Sequence, residues 1–123
     1  MKPRPLSDNE RAALAAMLSI DFPGAVELRI QAESVVVVGR CGCGCPTIDL
    51  AVAEAAPLAV VDSGTPVWAD VQGVDDGMIL MVADGRLSCL EIYTVDGSTP
   101  AEFPAPGVIE PQLDHSHWAD PDA

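Results

Sequence analysis

At 123 residues, 49% of them hydrophobic, the chain is long enough for one core and too short for two; a chain of this size buries roughly 65–70% of the surface it exposes when unfolded. Nineteen acidic residues against six basic give a formal net charge of −13, which argues against a sequence-independent grip on nucleic-acid phosphates and against docking to anionic membranes, since both need Lys and Arg. The apolar runs are short and interrupted, well below the ~18–20 residues of a transmembrane helix.

The first element in chain order is a helix. Ser7 followed by Glu10 forms a capping box, Ala12, Ala13, Ala15 and Ala16 favour the helical state, and Leu14, Met17 and Leu18 share one stripe. Asp21-Phe22-Pro23-Gly24 stops it. Lys2 and Arg4 give a positive start, but Leu6 to Arg11 is too charged for the apolar part of a signal peptide. A reducing cytoplasm is the expected compartment.

From Val26 the period changes to two. Val26, Leu28, Ile30 and Ala32 alternate with Glu27, Arg29, Gln31 and Glu33, which predicts a strand with one wet face. Val35 to Val38 continues as β-branched residues, and beyond the cysteine segment Ile48, Leu50 and Val52 predict another strand. Residues 54–66 hold two Pro and one Gly and read as a connection with room for one short strand. The second half reads as a meander over 67–72, 78–83 and 87–93, with Asp84-Gly85 as its tight turn. The expected fold is α+β, an N-terminal helix packed on a mostly antiparallel sheet of five or six strands over residues 1–103. A Pro-rich acidic tail follows over 104–123, free or docked through Trp118.

Gly39-Arg40-Cys41-Gly42-Cys43-Gly44-Cys45-Pro46-Thr47 is the most unusual segment. In an extended chain the outer two thiols lie about 13 Å apart, and one zinc with bonds of ~2.3 Å to sulfur cannot hold both. Only positive φ at Gly42 and Gly44 would curl the chain enough to bring them together. The expectation is therefore a closely packed strand or bulge, in which Cys acts as a small hydrophobe and Gly lets another backbone approach, with no cofactor. The alternative is a zinc or copper site, or a reactive thiol, built from Cys41, Cys43, Cys45 and Cys89. Paired zinc cysteines normally have at least two residues between them, and these have one.

Other candidates have plainer readings. His115 and His117 are the only histidines and sit in the tail, so a Ser-His or Cys-His nucleophile would need a base from there. Asp49, Asp62, Asp70 and Glu91 could pair for acid–base work but read as the wet side of a sheet. Trp68, on the same side of its strand as Asp70, is a partner anchor if that side is wet and a core residue otherwise.

Asp84-Gly85-Arg86-Leu87-Ser88-Cys89-Leu90-Glu91-Ile92-Tyr93, followed by Phe103-Pro104, resembles the closing hairpin of small bacterial proteins, some of which look like immunity proteins encoded beside secreted toxins. The Cys-Gly-Cys-Gly-Cys-Pro-Thr segment is similar to that of a family of small bacterial proteins without an assigned activity. The first likeness implies binding rather than catalysis, at the level of fold analogy. The expected function is a non-enzymatic binding protein whose acidic surface, including Trp68, Asp70 and Glu91, engages a basic protein partner. Open sheet edges would allow a homodimer, which the like charge opposes.

Overall fold

The computed structural model describes residues 1–113; His115, His117 and Trp118 lie outside the described residues. Helix α1 (Asp8–Met17) starts at the capping box: Glu10 N–H donates to Ser7 Oγ at 3.2 Å, and Ser7 N–H donates to Glu10 Oε1 at 2.9 Å. Strand β1 (Arg4–Pro5) brings the Arg4 guanidinium onto both carboxylate oxygens of Glu10, at 2.8 and 2.9 Å. That fork, helped by the Ser7 N–H, holds the Glu10 carboxyl below its ordinary value against the opposing effect of its burial. Ala13, Leu14 and Met17 form the buried stripe.

The strand expected from Val26 is instead a second helix, α2 (Ala25–Ala32). Eight residues with apolar groups at alternate positions satisfy both periods, and the burial decides between them. Ala25, Leu28 and Gln31 are inside, whereas Val26 is 60% and Ile30 45% exposed. Gly24, at φ +92°, turns the chain into the helix. Arg29 then donates to the carbonyls of Leu18 and Ile20, both at 2.8 Å, satisfying backbone left free at the end of α1. The polar side chain that a strand would have left in water, Gln31, is fully buried.

The remaining strands are β2 (Val36–Arg40), β3 (Ile48–Ala51), β4 (Val67–Val71), β5 (Gly77–Ala83), β6 (Arg86–Tyr93) and β7 (Ile109–Leu113). They form one antiparallel sheet of seven strands in the order β1-β2-β3-β6-β5-β4-β7. This exceeds the five or six expected, because two short edge strands, one of them within the segment read as tail, join the sheet. No strand forms within residues 54–66. The β2–β3 hairpin and the β4–β5–β6 meander meet where β3 pairs with β6.

Both helices cover the same side of the sheet, α1 over β4 and β7 and α2 over β6. Leu14, Met17 and Leu28 from the helices close the core with inward residues such as Ile48, Leu80 and Leu90. Among the described residues no helix packs on the other side, and none is long and apolar enough to cross a membrane.

Candidate metal centre

The cysteines occupy the loop of the β2–β3 hairpin. Arg40 pairs with Ile48, and Cys41 N–H donates to the Thr47 carbonyl at 3.3 Å, so both ends of the loop are fixed. Within it Gly44 N–H donates to the Cys41 carbonyl at 3.4 Å, and Gly44 itself sits at φ +87°. The sequence predicts that the thiols meet only with positive φ at both Gly42 and Gly44; only Gly44 takes it, and one is enough. The Sγ atoms of Cys41, Cys43 and Cys45 all lie within 4.8 Å of one another, and those of Cys41 and Cys43 are 2.7 Å apart.

Close approach of another backbone does not explain these glycines. A Cβ built on Gly42 or Gly44 meets nothing within 4 Å, and Cys41 and Cys43 are exposed. The expected packed strand or bulge is replaced by an open turn. Each turn of the chain presents a sulfur, and glycine supplies the φ that lets the chain bend back at negligible steric cost.

Cys43 and Cys45 hold their protons unequally. Cys43, hydrogen-bonded to Cys41 and then to Cys45, is pushed up to about 11. Cys45 is drawn down to about 7, first by its hydrogen bond with Cys43, which outweighs the opposing desolvation, and then by Thr47. The arrangement favours the thiolate at Cys45 over that at Cys43, and a thiolate is the form that binds a soft cation.

No protein family, no curated protein and no solved structure matches this chain. Chemistry has to be read from the site itself. A tetrahedral thiolate site with bonds of ~2.3 Å has sulfur–sulfur edges of about 3.8 Å, so the three thiols need to shift by about one ångström, in a loop with open space around it. They offer three ligands and leave further coordination positions open, a donor set suited to Zn²⁺ or Cu⁺.

The fourth cysteine is elsewhere. Cys89 stands on β6 opposite Asp49 and Met81, on the uncovered side of the sheet, and does not belong to the group of three sulfurs. Burial, with the Asp49 and Glu91 carboxylates beside it, pushes its thiol up to about 11. Trp68, Asp70 and Glu91 do share one surface, the same uncovered side: Trp68 and Glu91 flank Ile79 in one row, and Asp70 lies in the next. Trp68 is half-buried there rather than in the core.

Beside the loop, a cleft of about 350 Å³ is lined by Arg4, Ser7, Glu10, Arg40, Pro46 and Glu102. Arg40 does not pair with any carboxylate among the described residues. Thr47 was not singled out by sequence reasoning. Its carbonyl closes the loop, and its hydroxyl accepts from Ile92 N–H at 3.1 Å, tying the loop to β6. The signal was its position directly after Cys45-Pro46.

Proposed function

We propose that the chain binds a soft metal ion, Zn²⁺ or Cu⁺, through Cys41, Cys43 and Cys45 at the tip of the β2–β3 hairpin. The observation that carries this reading is the convergence of three thiols around an open glycine turn. A net charge of −13 adds a general attraction for cations. Binding would release protons from the thiols, among them that of Cys43, and would hold the metal at the surface.

The test is elemental analysis of protein purified without chelator and reconstituted under reducing conditions with Zn²⁺ or Cu⁺. One equivalent is expected, and it should be lost in the triple variant Cys41→Ser, Cys43→Ser, Cys45→Ser with the circular dichroism spectrum unchanged. Cys89→Ser should retain the metal. Less than a tenth of an equivalent with either ion, all thiols being reduced, would remove the proposal.

A further inference from the structure

The uncovered side of the sheet has chemistry of its own, separate from the cysteine loop. Three rows cross it by register. In the middle row Trp68 lies between Gln112 and Ile79, and Ile79 is followed by Glu91. In the next row Asp70 lies between Glu110 and Gly77, and Gly77 faces Tyr93, whose ring a Cβ at position 77 would strike. On the other side of the middle row Met81 faces Cys89, which faces Asp49. Ile79 is only 8% exposed although no helix covers it, so its neighbours on this side bury it. The result is an apolar centre made by Trp68, Ile79, Met81 and Tyr93.

Asp49, Asp70, Glu91 and Glu110 stand around that centre. Gln112 Nε2 donates to Asp70 at 2.8 Å and Gln72 Nε2 to Glu110 at 2.9 Å, which fixes two of the four carboxylates in place. Among the described residues of these strands, the cation on this side is Arg86, at the β5–β6 turn. An apolar centre inside a charged rim is the anatomy of a protein interface, and aromatic residues at its middle are the usual anchors. The Trp68 indole N–H has no acceptor among the described residues, so turning the ring toward a partner breaks no hydrogen bond.

The sheet edges are poor alternatives. Strand β7 carries Pro111, which has no N–H to offer, and β1 is two residues long and ends in Pro5. From these features we infer that the uncovered face docks a basic polypeptide, whose Lys and Arg side chains meet the four carboxylates around an apolar contact with Trp68 and Tyr93. A second copy of the chain fits less well, since two surfaces of the same negative sign would meet.

The experiment is an NMR titration of the full ¹⁵N-labelled chain with an octapeptide of alternating Leu and Lys, with the corresponding Leu-Glu peptide as control. A chelator is present throughout, so that failure here says nothing of the metal reading. Expected are shifts centred on the Trp68 indole N–H, Ile79, Met81 and Tyr93, and binding about tenfold weaker when salt rises from about 0.05 to about 0.5 M. The double variant Asp70→Asn, Glu91→Gln, both at solvent-facing positions, should weaken binding about tenfold, with the rest of the spectrum unchanged. Trp68→Ala should abolish it. Equal binding of the acidic peptide, shifts confined to another surface, self-association through these residues, or contacts from residues 114–123 to Trp68 in the free protein would each overturn the inference.

Discussion

The β5–β6 and β2–β3 hairpins are both closed by a glycine in left-handed backbone, and the two turns differ in their surroundings. Gly85, in the β5–β6 turn at φ +78°, is packed: a Cβ there would come within 2.9 Å of the Ala59 carbonyl, and its own carbonyl accepts from Ala59 N–H at 2.9 Å and from Gln31 Nε2 at 2.8 Å. Gly44, in the β2–β3 loop at φ +87°, touches nothing. The first turn is a joint where α2, the 53–66 connection and the meander are fastened together. The second holds three thiols in the open. The same residue type in the same backbone state serves stability in one place and leaves side chains free for chemistry in the other, and only the surroundings tell them apart.

The largest effect should come from the packed joint. Gln31 donates to the Pro57 carbonyl at 2.7 Å and to the Gly85 carbonyl, and its Oε1 accepts from Leu87 N–H at 2.9 Å. Gln31→Leu keeps the volume and leaves the Pro57 carbonyl and the Leu87 N–H unpaired, while the Gly85 carbonyl keeps its bond from Ala59 N–H; this should cost about 4 kcal/mol in chemical denaturation, at about 1–3 kcal/mol for each buried orphan. A loss below about 1 kcal/mol would mean that this joint is not what fastens α2 to the meander. Gly85→Ala should cost about 2–3 kcal/mol, from the positive φ and the clash with the Ala59 carbonyl together.

The Arg4–Glu10 pair borders the cleft beside the open loop and is part-buried. Because the folded Glu10 carboxyl titrates below its ordinary value, its stabilisation is fully present above the unfolded value of about 4.3 and is lost as pH falls through the folded one. Glu10→Gln should therefore cost about 1.5 kcal/mol at neutral pH and progressively less as the medium is acidified below pH ~4. Denaturation curves at several pH values check this, and a cost that grows toward acid would contradict the assigned sign.

The open turn should tolerate substitution best. Gly44→Ala should cost only about 1 kcal/mol, because strain at positive φ is its sole penalty. It should nonetheless lower zinc affinity about tenfold, comparable with losing an outer-shell contact, by disfavouring the curl that gathers the thiols. If Gly44→Ala destabilises the fold as much as Gly85→Ala, the two turns do not differ in the way the surroundings imply.

Much of the fold could be read from local pattern. The capping box, the breaker after α1, the alternation in β3 and the Asp-Gly turn with Asp84 at φ +53° all stand in the structure. So does the shared side of Trp68, Asp70 and Glu91, which follows from the period of two in β4 and β6. The second helix was not legible: Val26 to Ala32 alternates well enough for a strand, and the groups that reward Gln31 for being buried come from positions 57, 85 and 87. Strand β7 was hidden by Pro111, which an edge strand tolerates and a central one does not.

For the cysteines the division is sharper. The sequence alone settled that three thiols would be spaced by glycines, and that an extended chain would keep the outer two too far apart for one ion. Whether they meet depends on the φ of Gly44, and that is imposed by the pairing of Arg40 with Ile48 and of Cys41 with Thr47 at the two ends of the loop. Glycine accepts either hand of backbone at nearly equal cost, so its own preference cannot choose; the sheet, by fixing where the loop begins and ends, does.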